Sequence, residues 1–204
     1  MAKISASLDK RWPRPDDRLL GKVISWNNVI TFSDYSAERN VLMLKGYLRA
    51  GHVLLDKCLK NLNEGHTMIY PILFCYRHAL EMNMQWIISS YGHRYGVSLP
   101  SKKDHNLDPL WKCCKAVFAH PDNKSAAIGA STVGKLIQQF HRLDIRAQAF
   151  RYPVKKDGTL IRLPNVAIDL SNLREVMDGL KNFFSGADGH LDHVQSADRE
   201  MGRP

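Results

Sequence analysis

Apolar residues recur along this chain at helical spacing in five separate stretches. Val41, Leu44, Leu48, Leu55, Leu59 and Leu62 fall three, four or seven residues apart, after Ser36 as a candidate N-cap and before Gly65 as a stop. A second helix is predicted from about Thr67 to Tyr91, with Pro71 in its opening turn. Its first half is apolar on nearly every side (Met68, Ile69, Ile72, Leu73, Phe74, Leu80), the pattern of a helix at the centre of a helical assembly. A third helix opens between Asp104 and Asp108 and carries the stripe Leu107, Leu110, Trp111, Cys114, Val117 and Phe118. A fourth carries Val133, Leu136, Ile137, Phe140 and Leu143.

The period then changes. Phe150–Val154 and Thr159–Leu163 are short β-prone runs on either side of Lys155-Lys156-Asp157-Gly158, and an Asp-Gly pair in that position predicts a β-hairpin. Ser171 is the candidate N-cap of a last helix bearing Leu173, Val176, Met177, Leu180, Phe183 and Phe184. Gly186 and Gly189 are expected to loosen its end, with a frayed tail after Ala197. Residues 1–35, with Pro13 and Pro15 and one apolar stretch from Val23 to Phe32, read as an irregular arm. The expected fold is all-α: an antiparallel bundle of about five helices over 36–197, one hairpin before the last helix, the arm at 1–35 and a disordered tail at 198–204.

Composition narrows the function classes. With 44% hydrophobic and 24% charged residues over 204 positions, the chain has the make-up of one globular domain. No run approaches a membrane span, and the N-terminus has no apolar segment of the secretory kind, so a cytoplasmic protein without a membrane partner is expected. The four cysteines form neither a CxxC pair nor a spaced framework and read as reduced core residues. Cofactors are not indicated. His190 and His193, with Asp188 and Asp192, are the one pair at metal-ligand spacing; a lone pair at a glycine-flanked end does not make a metal site.

Charge points to a ligand. Twenty-nine Lys and Arg against twenty Asp and Glu leave a formal net charge of +9, a balance that favours polyanions. Arg142, Arg146, Arg151, Lys155, Lys156 and Arg162 crowd into one segment with only Asp144 and Asp157 between them, and Arg94, Lys102 and Lys103 form a second group. The first five of these are the candidate nucleic-acid contacts.

Tyr76-Arg77-His78-Ala79-Leu80-Glu81-Met82 on the second helix, followed by His105-Asn106-Leu107-Asp108-Pro109-Leu110-Trp111, resembles the second and third helices of HEPN proteins. The segment Phe150–Gly158 is similar to one in a subgroup of bacterial HEPN-like proteins, and Asn172–Met177 fits the final helix. The resemblance covers roughly 36–185 and implies a helical homodimer, with RNA or a nucleotide as ligand and an antitoxin or defence-complex protein as partner. It also implies metal-independent RNA cleavage in a bacterial defence or toxin–antitoxin system. The usual signature of the catalytic members, an arginine followed after four to six residues by a histidine, is absent: Arg49 to His52 is too short and Arg94 to His105 too long. Enzyme status therefore stays open, and a non-catalytic dimeric binding or assembly subunit is the alternative.

Cleavage without a metal needs an acid or base on the 2′-hydroxyl and leaving oxygen, and cations on the phosphorane charge. Arg77, His78, Glu81 and His105 are the candidate catalytic set. The competing reading makes Arg77 and Glu81 a buried i,i+4 pair that holds helices in register.

Overall fold

The computed structural model describes residues 29–101, 105–123 and 128–201, together with Pro13, Pro15 and Asn27. Contacts divide the chain into a segment Met1–Asp34 and a body Tyr35–Pro204. Most of the expected N-terminal arm lies outside the described residues, as do Lys102, Lys103 and Asp104 of the loop and residues 202–204; the rest of the expected disordered tail is ordered, with 198–200 forming the end of the last helix.

Among its described residues the body holds five α-helices: α1 (Ser36–Lys60), α2 (Gly65–Tyr91), α3 (Leu107–Phe118), α4 (Ala130–Leu143) and α5 (Leu170–Glu200). Helix α2 packs against α1, α3 and α5, while α4 packs against α3. No helix among the described residues is long and apolar enough to cross a membrane.

Helix α1 buries Leu48, Gly51, Leu55 and Cys58, three or four residues apart. At Gly51 the approach to α2 is close enough that a Cβ would sit 2.5 Å from the Tyr76 ring, so only glycine fits without a shift. The helix ends at Asn61, in extended backbone at φ −146°, earlier than the expected stop at Gly65. The Asn61 side chain accepts from the Asn63 amide and starts a 3₁₀ turn, and Gly65 becomes the first residue of α2. Tyr35, rather than Ser36, occupies the cap position of α1.

The earlier start of α2 places Pro71 inside the helix instead of in its first turn. Ile72, Leu73, Tyr76, Ala79, Leu80, Met84, Ile87 and Ile88 are all buried, while Thr67, Tyr70 and Ser89 are exposed and Phe74 and His78 half-buried, so most but not all of α2 is covered within the chain. Helix α3 buries all six residues of its expected stripe. Gly134 of α4 meets Trp111 so closely that a Cβ would lie 2.6 Å from the indole nitrogen.

The expected hairpin is reduced to a single antiparallel bridge, Val154 to Leu160, and no strand is present among the described residues. The Lys155 amide donates to Thr159 and the Ile161 amide to Pro153, around Gly158 at φ +81°. Every residue from 151 to 160 is exposed; burial is confined to Phe150 at one outer end and to the half-buried Ile161 and Leu163 at the other, so no continuous buried face extends the ladder. Pro153 also has no amide to donate to it.

Asp169, two residues ahead of the expected Ser171, caps α5 and accepts from the amides of Ser171 and Asn172. The helix then runs unbroken through Gly186 and Gly189 to Glu200. Both glycines lie on its exposed face. The buried stripe Leu173, Met177, Leu180, Phe184, Ala187 and Leu191 continues past them. Asp188 adds a polar tie by accepting from Trp86 Nε1 at 2.8 Å and the Tyr91 hydroxyl at 2.7 Å. That burial outweighs the roughly 1 kcal/mol each glycine costs in a helix.

Candidate functional site

Midway along α2, Arg77 and Glu81 stand one turn apart and are 2% and 3% exposed. Removing two charges from water is costly unless each is paired and bonded. Here Arg77 Nη1 donates to Glu81 Oε2 at 3.3 Å, Nη2 to the main-chain carbonyl of His105 at 2.6 Å, and Nε to that of Asp144 at 3.1 Å. Burial pulls the Arg77 pKa down, and the carboxylates of Asp144 and Glu81 pull against it. An arginine in this position still carries its charge at neutral pH.

The other Glu81 oxygen holds His105. Oε1 lies 2.8 Å from His105 Nδ1 and also accepts from Gln85 Nε2 at 3.3 Å. His105 sits in the short connection before α3 with φ +58°, a left-handed conformation that costs a non-glycine residue about 1 kcal/mol or more. Two bonds compensate, one to its carbonyl from Arg77 and one to its ring from Glu81. The imidazole side chain nonetheless remains 55% exposed. The result is a histidine oriented by a buried carboxylate on one edge and open to solvent on the other. A carboxylate on Nδ1 fixes the tautomer that leaves Nε2 as proton acceptor.

His78 is placed differently. It is half-buried, stacked on Phe74 with centroids 5.8 Å apart and edge-on to Tyr47 at 4.5 Å. Burial lowers its pKa; nearby Glu81 works against this, and His105, Arg77 and Arg151 reinforce it. Of the four candidate catalytic residues, three are joined by direct bonds and His78 is a neutral imidazole within electrostatic reach of them.

The candidate nucleic-acid contacts divide into two groups. Arg142, Arg146 and Lys155 line an open cleft of about 600 Å³ together with Arg162. Among the described residues none of these four side chains makes a hydrogen bond or ion pair. Asp144 is the one acidic residue lining the cleft, and it is 5% exposed with its carboxylate accepting from the Gln148 amide at 2.8 Å. Lys156 lies exposed on the adjoining turn. Arg151 is set apart: Nε and Nη2 both donate to the Ala147 carbonyl, and the guanidinium lies over the rings of Phe74 and Tyr152.

Asp144, Gln85, Phe74 and Tyr47 belong to the site and were not evident from sequence. Asp144 reaches Arg77 through its carbonyl and through the charge of its carboxylate, 67 residues away in sequence, and Phe74 and Tyr47 look like ordinary core positions. No group of three or more side chains able to hold a metal is gathered among the described residues, and the four cysteines are free. No model of a known protein family, no curated protein and no solved structure matches the chain.

Proposed function

We propose that this chain binds RNA in the cleft of Arg142, Arg146, Lys155 and Arg162 and cleaves it without a metal, using His105. The observation that carries the reading is the position of Arg77. One guanidinium bonds the carbonyls of both His105 and Asp144, so the solvent-facing imidazole and the wall of the basic cleft lie within the span of a single side chain.

In this reading Glu81 accepts from Nδ1–H and orients the ring, while Nε2 takes the proton of a ribose 2′-hydroxyl. The 2′ oxygen attacks the adjacent phosphorus, and the bond from phosphorus to the 5′ oxygen breaks. That oxygen takes the proton back from the imidazolium, leaving a 2′,3′-cyclic phosphate and a 5′-hydroxyl. The unpaired cations of the cleft offset charge developing on the phosphoryl oxygens. Arg77 acts as a positioning residue.

The resemblance of 76–82, 105–111 and 150–158 to HEPN segments supports the same ligand class. It also supports reading the five helices as an antiparallel bundle with a hairpin insertion, from a bacterial defence or toxin–antitoxin system.

A second reading, a non-catalytic RNA-binding or assembly subunit, is favoured by the depth of Arg77. All three of its nitrogens are bonded internally, and it has no face to present to phosphate. RNA retention on filters, measured between 50 and 200 mM salt with a chelator present, tests the binding shared by both readings. Contacts to several phosphates predict a fall in affinity of about tenfold or more over that range. Products ending in 2′,3′-cyclic phosphate select the first reading, and retention of intact RNA selects the second.

A further inference from the structure

A second cavity adjoins the basic cleft and has different chemistry. Its volume is about 430 Å³, and it shares Ala149, Leu160 and Ile161 with the cleft as a common wall. Tyr70, Arg151, Tyr152 and Pro153 line its other sides. Tyr70 is 45% and Tyr152 54% exposed, so both rings are open to solvent at the cavity's edge. The Arg151 guanidinium lies 5.4 Å from the centroid of Tyr152, held by Nε and Nη2 on the Ala147 carbonyl. Its third nitrogen, Nη1, makes no hydrogen bond among the described residues.

We propose that this cavity takes an unpaired nucleobase, stacked on Tyr152, while the phosphates flanking that base occupy the cleft of Arg142, Arg146, Lys155 and Arg162. The inference rests on the polyanion reading of the cleft and extends it from phosphate to base. Two features carry it. A cavity bordered by two exposed rings and a tethered guanidinium suits the face of a base, since stacking on aromatic or arginine planes is how single strands are held without sequence preference. A polycation cleft across one shared wall supplies the backbone contact such a base would bring with it. A duplex keeps its base faces covered, so it can use the cleft but not the pocket. Arg151 Nη1 is placed to donate to an acceptor on the base edge.

The test is fluorescence anisotropy with labelled twelve-nucleotide oligouridine, the same strand paired with oligoadenosine, and oligothymidine, titrated with the full chain. Wild-type protein is expected to bind the single strand about tenfold more tightly than the duplex. Tyr152→Ala is expected to weaken single-strand binding about tenfold, and Tyr152→Phe, which keeps the ring, to weaken it little. The oligothymidine arm separates RNA from DNA: equal affinity means that the pocket reads base and phosphate alone. Equal binding of single strand and duplex, or a Tyr152→Ala protein that binds like wild type, overturns the pocket while leaving the cleft intact. Absence of binding to all three, even at low salt, overturns the cleft reading and the pocket with it.

Discussion

Arg77 Nη2 donates to the main-chain carbonyl of His105 at 2.6 Å, across 28 residues of sequence. The bond joins the middle of α2 to a left-handed residue with a solvent-facing ring. A single buried charge thus sets both the stability of the α2 region and the position of the imidazole.

Replacing Arg77 with Met should therefore destabilise the fold by about 3–5 kcal/mol, because Glu81 is left charged and buried. Replacing Arg77 and Glu81 together with apolar residues should restore much of the loss, since the uncompensated charge is then gone. Urea denaturation of the two single variants and the double variant checks this. A double variant as unstable as the sum of the singles would mean that the pair does not act as a unit.

The amount of this that could be read from sequence varied with the kind of signal. Helix stripes were legible because burial on one face imposes a 3.6-residue period; the α3 stripe from Leu107 to Phe118 is buried at every position named. The spacing of Arg77 and Glu81 was legible for the same reason. The turn at Asp157-Gly158 was legible from its residue types, while the extent of pairing was not, because the residues between Arg151 and Leu160 are all exposed and only the Val154–Leu160 bridge joins the runs. The end of α5 was under-read, because two glycines outweighed, on paper, a stripe whose continuation through Ala187 and Leu191 depends on what α2 offers it. Asp144 was invisible as a site residue, since its bond to Arg77 is made by a backbone carbonyl and its charge meets Arg77 only through the tertiary fold.

The C-terminal half of α5 supplies the next prediction. Asp188→Ala removes the side-chain acceptor shared by Trp86 and Tyr91, leaving the Trp86 indole N–H unsatisfied and the Tyr91 hydroxyl with only its 3.3 Å bond to the main-chain carbonyl of residue 188. A loss of about 1–3 kcal/mol is expected. Truncation after Ser185 should cost more, because it also removes Ala187 and Leu191 from the core. Thermal melts followed by tryptophan fluorescence and by circular dichroism measure both. A truncated chain that melts like the full one would show that this half of α5 is not integral to the body.

Acid should loosen the fold through two histidines. His52 bonds the Tyr76 hydroxyl at 2.8 Å through Nδ1, with Arg174 and Asp178 near Nε2. Burial lowers its pKa first and Arg174 second, and Lys181 adds to this; Asp178 and Asp56 oppose it without prevailing. His78 is shifted the same way, with burial as the largest cause. An imidazole harder to protonate when folded binds more protons in the unfolded state, so stability rises with pH. The contribution is fully present above the ordinary histidine value of 6.5 and is lost as pH falls below it. Melting temperature should drop between pH 7.5 and 5.5, and a His52→Gln, His78→Asn double variant should show a shallower slope. An unchanged slope would assign acid sensitivity to other groups.

The central claim is that His105 does chemistry while its partners hold it in place. The most direct measurement is the rate of RNA cleavage, with a chelator present, by wild-type protein and by His105→Ala protein of matched purity, alongside their melting temperatures. The account predicts a fall in rate of about a hundredfold or more, with a melting temperature changed far less than in Arg77→Met. The opposite result, a His105→Ala protein that cleaves at the wild-type rate, would contradict it.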